Sequence, residues 1–594
     1  MCGIFGYWDR QRRALAPQAL DAMGERLRHR GPDDAGISSQ PTRGVAVGNR
    51  RLSIIDLAGG HQPFISDDGR IAVVQNGEIF NYVELAEELR AQGVALRTHS
   101  DTEVILRLYE REGIACLQRL NGMFAIAIDD AREDALYLAR DRIGVKPLYL
   151  HDDGTRVLFA SELKALGAAG LRPELDLEAV HHYLTFNYIP APWTIWQGAK
   201  HVLPGCWMRF TRSGVHTERW WNLAQQRERD QGFEDWSREF LSILDDATRI
   251  RLRADVPWGA FLSGGVDSST IVALMARHVK EPVRTFCIGF ADPRFDESRY
   301  AAEAAARFGC AHTMEVAELN MLDRWSHVLY HLDQPHGDAS FMPTLRVSEL
   351  AAKHVKVVLT GDGGDELFGG YEKYAEYFAR PEVAGLGDED FRRGYFDSIS
   401  LFAPQDKLAL YRPEVAAQLA GMDSYEVARP WFEQAAHFDR VNQALFLDMQ
   451  LLLSGNNLVK PDRMGMAVSI EARTPFLDWR MMEFAFRARG ATKLAADGDK
   501  KHWYKKAVAP LIGHDLAYRR KQMFTVPVGE WFRKESHPWL AGLLQGSPIV
   551  QRLFRRAAVQ GMLERHRAGT ANHTRELRAL AALALWETSV GGAG

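Results

Sequence analysis

Short runs of alternating hydrophobic and polar residues dominate the first part of this 594-residue chain. The segments GVAVGNRRLSIID, RIAVVQNGEIF, GMFAIAID and DALYLAR have the length and alternation of β-strands, and turn-forming residues separate them. Helical periodicity appears only between these runs. The pattern up to about residue 166 therefore predicts stacked β-sheets.

A different pattern follows a linker-like stretch. Residues 190–221, including PAPWTIWQGAKHVLPGCWMRF, are rich in Pro, Gly and Trp, which predicts a connection returning along a sheet edge. We place the domain boundary there, giving domains 1–212 and 213–594. After residue 231, buried strands such as VPWGAFL, VRTFCIGF and KVVLTG alternate with helices, which predicts a parallel sheet covered on both faces. Beyond Tyr371 the pattern is mostly helical, so the fold class is α/β overall.

Composition and charge narrow the range of partners. Hydrophobic residues make up 46% of the chain and charged residues 25%, as in ordinary globular proteins. The formal charge of -4 offers no positive field for nucleic acid or anionic lipid, so we expect neither partner. Five scattered cysteines without a CxxC pair argue against a disulfide framework or a zinc site. With no apolar leader or run of 18 apolar residues, we expect a cytoplasmic protein.

Cys2 is the first candidate for chemistry. Removal of the initiator methionine would give it a free α-amino group, with a pKa of about 8, beside a thiol with a pKa of about 8.5. One residue would then supply both nucleophile and base, and no catalytic histidine would be needed. Taken alone, a lone cysteine is more often a small buried hydrophobe.

Four further segments change that balance. They are RHRGPDDAG at 28–36, RRLSIID at 50–56, QNGEIFN at 75–81 and HSDTEV at 99–104. With the opening CGIFG, they resemble the glutaminase domain of class II amidotransferases, the N-terminal nucleophile family, over roughly the first 165 residues. The resemblance implies a four-layer α+β sandwich in which Cys2 attacks the amide of glutamine.

The same resemblance implies roles for single residues. Arg51 matches the arginine that binds the glutamine α-carboxylate, for which a guanidinium fork is suited. Asn76 and the backbone N–H of Gly77 match the oxyanion hole, and Glu78 and Asp101 match acceptors for the α-amino group. An Asn–Gly pair between apolar runs also predicts a plain hairpin turn, which is the alternative for Asn76 and Gly77.

A glycine-rich turn follows a buried strand in PWGAFLSGGVDSST at 257–270 and leads into a helix whose first turn carries Asp267 and Ser268. Backbone N–H groups and hydroxyls at a helix N-terminus form an anion site, and glycines let phosphate approach. The turn lacks the lysine of a GxxxxGK[ST] loop and the spacing of GxGxxG, which excludes the usual NTPase and dinucleotide interpretations.

A second acidic segment, VVLTGDGGDELFGGY at 357–371, also follows a buried strand and supplies Asp362 and Asp365. Both motifs are expected at the carboxyl edge of the sheet, the ligand position in open α/β folds. Asp267 and Asp365 would then hold Mg²⁺ together with phosphate oxygens. The alternative is that the acids of this segment only cap helices. For Glu366, which belongs to the same segment, the two interpretations are about equally good.

The glycine-rich turn LSGGVDSS resembles the pyrophosphate loop of N-type ATP pyrophosphatases, which form acyl-adenylates. Behind a glutaminase domain, and with MGMAVSIEARTPFLD at 464–478, the two motifs resemble the glutamine-hydrolysing asparagine synthetase family over nearly the whole chain. The resemblance implies a parallel-sheet ATP pyrophosphatase domain with a helical C-terminal part, ATP and Mg²⁺ as cofactors, and amidation of a carboxylate such as aspartate. It also implies an apolar passage for ammonia and a homodimer.

Residues in this half are assigned by the same resemblance. The nucleotide contacts are Leu262, Ser263, Gly264, Gly265, Asp267, Ser268, Ile288, Thr360, Gly361 and Lys460. Asp362 stands where many members have Glu, at a position that assists ammonia attack. Arg463 stands where the family has a phosphate-contacting lysine, and both are predicted to be catalytic. Since arginine does not replace lysine directly, Lys460, about one turn earlier, is the alternative phosphate contact.

Three alternatives remain. The acceptor could be a uronic acid or an intermediate of a polysaccharide or natural-product pathway instead of aspartate. Lactam-forming relatives use an amine of their own substrate and have usually lost the glutaminase nucleophile, whereas Cys2, Arg51, Asn76 and Asp101 are all kept here. A non-catalytic regulator on this scaffold would show broken ligands, and none is clearly broken.

Overall fold

The computed structural model describes residues 2–172, 174–317, 321–520 and 527–591. The strands are β1 (Cys2–Asp9), β2 (Asp34–Gln40), β3 (Val45–Arg51), β4 (Phe64–Ile65), β5 (Ile71–Ile79), β6 (Gly122–Asp130), β7 (Ala135–Arg140), β8 (Tyr149–Asp152), β9 (Arg156–Ala160), β10 (Ala199–His201), β11 (Cys206–Thr211), β12 (Gly214–Arg219), β13 (Trp258–Phe261), β14 (Arg284–Phe290), β15 (Ala311–Ala317), β16 (Val357–Leu359) and β17 (Glu471–Arg473).

The helices are α1 (Pro17–Arg26), α2 (Tyr82–Ala91), α3 (Asp101–Glu112), α4 (Leu163–Ala168), α5 (Leu177–Phe186), α6 (Phe233–Ile250), α7 (Val266–His278), α8 (Ser298–Arg307), α9 (Trp325–Leu332), α10 (Phe341–Ala352), α11 (Gly364–Phe368), α12 (Glu372–Phe378), α13 (Pro381–Gly385), α14 (Asp388–Ile399), α15 (Pro404–Leu410), α16 (Pro413–Gln418), α17 (Tyr425–Gln434), α18 (Arg440–Asp448), α19 (Val459–Met466), α20 (Trp479–Arg487), α21 (His502–Ile512), α22 (His514–Tyr518), α23 (Val528–Arg533), α24 (His537–Gly546), α25 (Pro548–Leu553), α26 (Arg556–Ala568) and α27 (Thr574–Trp586).

Two six-stranded antiparallel sheets form the N-terminal part, in the orders β10-β8-β9-β1-β3-β2 and β12-β11-β7-β6-β5-β4. Their inner faces share one core, in which Ile4 and Val47 of the first sheet lie with Val74 and Ala127 of the second. Helices α2 and α3 cover the outer face of the second sheet, and α1 and α4 cover that of the first. The predicted four-layer α+β sandwich is confirmed.

The predicted domain boundary needs correction. Strand β12 pairs with β11 in an antiparallel hairpin whose register joins Cys206 to Arg219, so a boundary at residue 213 falls inside the hairpin. The aromatic residues of this stretch are buried against the second sheet, as for Trp207 and Trp220. The Pro- and Gly-rich composition of this stretch therefore marks tight turns between strands at the sheet edge. It does not mark a linker between the domains.

A five-stranded parallel sheet, β15-β14-β13-β16-β17, organises the second part, as the alternating strands and helices predicted. β13 and β16 are neighbours in this sheet, so the glycine-rich turn and the acidic segment leave the same edge. They touch closely: a Cβ added to Gly361 would lie 2.7 Å from the Cβ of Asp267. The two motifs thus meet at the carboxyl edge of the sheet.

The remainder of the second part is helical. Helices α14, α17 and α18 pack through aromatic residues such as Phe391, Tyr395 and Phe432. Helix α27 is buried along most of its length, with Leu580 and Leu583 in a core that also includes α9 and α24. Within the residues that the structure describes, no helix is long and apolar enough to cross a lipid bilayer.

Candidate active sites

Cys2 opens β1 and is only 4% exposed. It pairs with Arg51 across the β1–β3 ladder, so the nucleophile and the predicted carboxylate-binding arginine are direct cross-strand neighbours. From the facing sheet, the Oδ1 of Asn76 accepts a hydrogen bond from the Cys2 backbone N–H at 3.1 Å. The side chain of Asn49 and the backbone of Leu52 hydrogen-bond to the thiol. Both sheets therefore contact Cys2, with Asn76 at its backbone nitrogen and Asn49 at its thiol.

The Cys2 thiol resists ionisation in this setting. Burial raises its pKa above the ordinary value, and the hydrogen bonds from Asn49 and Leu52 only partly oppose this effect. The resting residue is thus a protonated thiol at neutral pH, and a base is required before it can attack. The predicted base is the α-amino group freed by loss of Met1, which lies outside the described residues, so that step stays a prediction.

Asn76 and Gly77 lie in the middle of β5 and pair with β6. The alternative that this pair forms a hairpin turn is therefore wrong. Gly77 has a φ of +150°, and a Cβ there would meet the backbone oxygen of Met123 at 1.9 Å, so only glycine fits. The Nδ2 of Asn76 lies 3.4 Å from the Oγ of Ser161, and this contact orients the amide beside Cys2. The arrangement suits a pair of donors for an oxyanion.

Arg51 is buried and held by the loop that follows β3. Its Nη2 donates to the backbone oxygens of Ile55 and Asp56, both at 2.8 Å, and its Nη1 lies 3.4 Å from the oxygen of Leu57. Among the described residues, its Nε–H has no hydrogen-bond partner. The guanidinium is thus fixed in place with donor capacity left for an anionic ligand.

Glu78 and Asp101 form the acidic side of this site. Asp101 accepts hydrogen bonds from the backbone of Ile79 at 2.9 Å and from Gln75 at 3.2 Å. Glu78 lies on the same face of β5 as Asn76, since side chains two residues apart share a face. Its burial, with Glu471 and Asp101 nearby, raises its pKa well above the ordinary value. A cationic ligand group would relieve this charge crowding.

Sequence motifs missed some residues of this site. Asn49 could have been found, because it precedes Arg51 by two residues in one strand and so shares its face. Ser161 carries no such signal. Arg473 comes from the second domain: its Nη2 lies 3.9 Å from Glu78, and its Nη1 donates to the backbone oxygens of Arg251 and Arg253 at 2.8 and 2.7 Å. A residue of the second domain therefore contacts the predicted glutamine site across the domain interface.

The second site is a cavity of about 1260 Å³ at the carboxyl edge of the parallel sheet. The predicted nucleotide contacts that line it are Leu262, Ser263, Gly265, Asp267, Ser268, Ile288, Thr360, Gly361 and Lys460. Gly264 is not among the lining residues. It has a φ of +69° and turns toward the backbone of Tyr300, where an added Cβ would lie at 2.4 Å. Its role is to shape the loop.

The glycine-rich turn has the geometry of an anion site. Helix α7 begins at Val266, and Gly265 at its N-cap provides no side-chain partner for the first N–H groups. The hydroxyls of Ser263 and Ser268 lie 3.1 Å apart beside them. N–H groups and hydroxyls that face a cavity at a helix N-terminus are suited to phosphate.

Asp267 and Asp365 converge, and a lysine lies between them. The Nζ of Lys501 is 2.5 Å from Asp267 and 2.7 Å from Asp365. The space between the two carboxylates therefore accommodates a positive charge, as the predicted Mg²⁺ site requires. No group of three or more metal-ligating side chains occurs in the described part of the chain, so phosphate oxygens would complete the coordination. Lys501 was not predicted from the sequence.

Asp362 and Lys460 are two further charged residues that line this cavity. Asp362 accepts a hydrogen bond from the Oγ1 of Thr360 at 2.6 Å, and burial raises its pKa while Lys460 opposes the rise. The Nζ of Lys460 donates to the Oγ of Ser340 at 3.2 Å. The carboxylate of Asp362 and the ammonium group of Lys460 therefore lie near each other at the cavity wall.

Glu366 also lines this cavity. Its carboxylate accepts hydrogen bonds from the hydroxyl of Tyr371, at 2.7 Å, and from the amide of Asn457. Glu366 therefore ties α11 to the π-helical turn Met449–Asn457 that forms part of the wall.

Comparison with known proteins agrees with this geometry. A family described as asparagine synthase matches residues 239–588, more than half of the chain. The chain belongs to the asparagine synthase family. A second family, described as a glutamine amidotransferase domain, matches residues 1–221 and ends just beyond β12.

Individual relatives match over most of their length. Asparagine synthetase [glutamine-hydrolyzing] 1 of Bacillus subtilis (strain 168) is 31% identical over 99% of this chain and 96% of its own. Asparagine synthetase B [glutamine-hydrolyzing] of Escherichia coli (strain K12) is 29% identical over 89% and 83%. A solved glutamine phosphoribosylpyrophosphate amidotransferase from B. subtilis matches 53% of this chain and 65% of its own, with 21% identity and a TM-score of 0.29, too low to carry an argument.

Family membership gives the class of reaction. This asparagine synthase family member is an enzyme that uses ATP to drive an amidation and takes the nitrogen from glutamine. The two matched regions correspond to the two sites, with Cys2 in the first and the cavity in the second.

Arg463 does not occupy the position predicted for it. It is 2% exposed, does not line the cavity, and pairs with Glu162 at 2.7 Å and Asp333 at 3.3 Å. Lys460 lines the cavity from the same helix, α19. Three residues fall short of a full turn of 3.6, so the two side chains leave the helix about 60° apart. The prediction of a catalytic Arg463 is corrected accordingly, and Lys460 is the cation that faces the cavity.

Arg463 belongs to a buried charge network between the two domains. Arg30 contacts Asp462 at 3.0 and 3.1 Å and Glu162 at 3.0 Å, and Lys146 contacts Asp462 at 3.3 Å. The Nε of Arg30 also donates to the backbone oxygen of Cys2 at 3.1 Å. This network ties the first strand of one domain to α19 of the other.

The apolar passage expected for ammonia stays a prediction. A cavity of about 40 Å³ lies at the domain interface, and its lining includes Tyr149, Tyr188 and His336. Asp462 and Arg463 line it as well. Val145, Ile189 and Leu332 also line this cavity, so its lining is a mixture of apolar, aromatic and charged side chains.

Replacing Arg463 with alanine should destabilise the protein without weakening ATP binding. Loss of this guanidinium would remove one of the cations that neutralise the buried Glu162 and Asp333, whose other partners include Arg30 and Lys164. Breaking a buried ion pair costs about 3–5 kcal/mol in the free energy of unfolding. Urea unfolding measures the loss, and the KM for ATP should change less than about twofold. Lys460→Ala is the matched variant, and it should raise the KM for ATP with little change in stability. The opposite result would restore the phosphate-contacting role to Arg463.

Proposed function

We propose that this protein converts aspartate to asparagine, with release of glutamate, AMP and pyrophosphate, through an aspartyl-AMP intermediate. One observation supports this proposal above all: a single chain holds two separate sites, each with its reactive groups intact, and a buried charge network joins them. Two half-reactions need two such sites. In the second site, Asp267 and Asp365 would hold Mg²⁺ together with ATP.

The first half-reaction begins at Cys2. Its α-amino group takes the proton of the thiol, and the thiolate attacks the amide carbon of glutamine. Asn76 and the N–H of Gly77 stabilise the oxyanion, while Arg51 and Asp101 hold the α-carboxylate and α-ammonium groups. Ammonia leaves, and water then releases glutamate from the sulfur.

The second half-reaction takes place in the cavity. The acceptor carboxylate attacks the α-phosphorus of ATP, and the pyrophosphate that leaves is held at the N-terminus of α7 by Ser263 and Ser268. Bound between Asp267 and Asp365, Mg²⁺ would neutralise charge on the phosphate oxygens. Lys501, which contacts both carboxylates in this structure, would add positive charge near the departing pyrophosphate.

Ammonia then displaces AMP from the acyl-adenylate. Nitrogen attack releases a proton, and Asp362, whose pKa burial raises, is the acceptor. Lys460 stabilises the negative charge that develops on the phosphate oxygens. Because ammonia is protonated in bulk water, delivery along the domain interface protects the nucleophile.

One observation favours a second candidate acceptor. The cavity of about 1260 Å³ exceeds the range of roughly 300–1,000 Å³ typical of small-molecule sites. A larger carboxylic acid, such as a uronic acid or a pathway intermediate, would also fit there with ATP. The reaction steps would be the same.

Purified protein with glutamine, ATP, Mg²⁺ and single candidate acids tests the proposal. We expect aspartate to trigger formation of AMP, pyrophosphate and asparagine in equal amounts. Pyrophosphate release that responds to another acid but not to aspartate would reject asparagine formation and keep the reaction class. Light scattering of the same preparation tests the proposed homodimer.

A further inference from the structure

Arg578 is a cavity-lining cation without a protein partner. It lies on α27, faces the same cavity as the phosphate loop, and is largely buried. Among the described residues, no hydrogen bond or ion pair within 4 Å involves any of its nitrogens, and its Nε is shielded from solvent. Two other cations of this wall have carboxylate partners: Lys373 lies 2.7 Å from Asp448, and Lys501 contacts Asp267.

An unpaired guanidinium in this position is costly. Burial lowers the pKa of Arg578, which shows that its charged form is poorly solvated here. Arginine carries five N–H donors in a planar fork, and buried donors in native proteins almost always have acceptors. A cavity-facing arginine that lacks an acceptor is therefore prepared for an anionic group of a ligand, and a carboxylate fits the fork.

Asp338 offers the complementary charge on the same wall. It accepts a hydrogen bond from the backbone of Ser340 at 2.8 Å. Burial alone would raise its pKa, but Lys460, His336 and Ser340 lower it to about 2, so it is ionised at neutral pH. Asp338 and Arg578 influence each other electrostatically, yet no ion pair within 4 Å joins them.

The location of Arg578 and Asp338 in the cavity indicates which substrate they contact. Ser340 accepts the hydrogen bond from Lys460, which lies beside Asp362 at the reacting end of the cavity. Phosphate groups have their own site at the N-terminus of α7, and the carboxylate of Asp338 would repel them. The pair therefore faces the acceptor and not the nucleotide.

We propose that Arg578 and Asp338 bind the α-carboxylate and the α-ammonium of the acceptor, so that the acceptor is an α-amino acid whose second carboxylate is amidated. This inference rests on the proposed function and extends it to the residues that select the substrate. A uronic acid has no ammonium group for Asp338, so the same pair disfavours the larger non-amino acids.

Substrate analogues test each contact separately. β-Alanine is aspartate without the α-carboxylate, and succinate is aspartate without the α-ammonium. In the wild-type protein, kcat/KM for AMP formation should be at least about 100-fold higher with aspartate than with either analogue, because a charged hydrogen-bonded contact is lost in each case.

The variants should remove these preferences one at a time. Arg578→Ala should lower kcat/KM for aspartate about 100-fold and change that for β-alanine less than about threefold. Arg578→Lys keeps the charge but not the planar fork. Its kcat/KM for aspartate should lie between the values of the wild type and of Arg578→Ala. Asp338→Asn should likewise lower kcat/KM for aspartate about 100-fold and change that for succinate less than about threefold. The KM for ATP and the glutaminase rate should stay within about twofold of the wild type.

Arg556→Ala is the matched control, since Arg556 is an exposed arginine on the neighbouring helix α26. It should leave all of these rates unchanged. Circular dichroism and unfolding measurements on each variant separate a folding defect from a binding defect. Arg578→Lys is a second, conservative variant that tests the same contact.

Two results would overturn the inference, and the first of them would leave the proposed function in place. One is an equal loss for aspartate and β-alanine, or a raised KM for ATP, in Arg578→Ala. The other is a wild-type preference for an acid without an α-amino acid group. Absence of AMP formation with every acid tested would instead reject the proposed function itself.

Discussion

Replacing Cys2 with alanine is expected to abolish amidation from glutamine while synthesis from added ammonium continues. In the proposed mechanism the sulfur of Cys2 is the attacking atom of the first half-reaction, and removal of a nucleophile typically lowers the rate by about 10⁴-fold or more. Ammonium bypasses this step, because the cavity and its phosphate loop belong to the other domain. Glutamate release and amide formation, measured with each nitrogen source, report the two sites separately.

Cys310→Ala is the control for this variant. Cys310 is a partly exposed free thiol outside both sites, and its loss should leave both activities within about twofold. If Cys2→Ala lost synthesis from ammonium as well, the two sites would not be separable. The Arg30–Cys2 hydrogen bond uses the backbone oxygen of Cys2, so the substitution leaves the interdomain contact in place.

Replacing Asp267 with asparagine should have the reciprocal effect. Synthesis from both nitrogen sources should fall by about 10³-fold, because the substitution removes a charge that we propose to hold Mg²⁺ at the phosphates. Glutaminase activity should persist, since Asp267 lies in the parallel-sheet domain. ATP-dependent pyrophosphate release and glutamate release measure the two halves.

Asp497→Asn, an exposed carboxylate outside the cavity, is the matched control and should have no effect. Retention of pyrophosphate release in Asp267→Asn would contradict the assignment of the metal site. The substitution also removes a partner of Lys501, so unfolding measurements on both variants are needed to show that the domain is intact.

Much of this architecture follows from local patterns. The alternation in β1 and β3 predicted strands, and their pairing then places Cys2 opposite Arg51. The glycine-rich turn and the acidic segment each follow a buried strand, and strands β13 and β16 are neighbours, so the two motifs meet. Short motifs at strand ends carry this information because the edge of a parallel sheet collects them.

What the sequence left undetermined depends on helix rotation and on distant contacts. Lys460 and Arg463 differ only by about 60° around one helix, yet one faces the cavity and the other the domain interface. Lys501 reaches Asp267 from 234 positions away, and Arg473 reaches the glutamine site from the other domain. Such contacts have no local periodicity that a single sequence could reveal.

The Asn–Gly pair illustrates the limit of local turn signals. Asn76 and Gly77 carry the strongest short-range signal for a hairpin, but they lie inside β5. Glycine is required there by the backbone of Met123 on the neighbouring strand, not by a turn. The motif around the pair was more informative than the pair itself.

Transfer of labelled nitrogen tests the central claim most directly. Glutamine carrying ¹⁵N in its amide is supplied with ATP, Mg²⁺ and aspartate, and the products are followed by mass spectrometry and nucleotide chromatography. We expect ¹⁵N in the side-chain amide of asparagine, with one AMP and one pyrophosphate formed for each amide. Formation of ADP and phosphate, or glutamine hydrolysis that leaves no ¹⁵N in any amide product, would contradict this account.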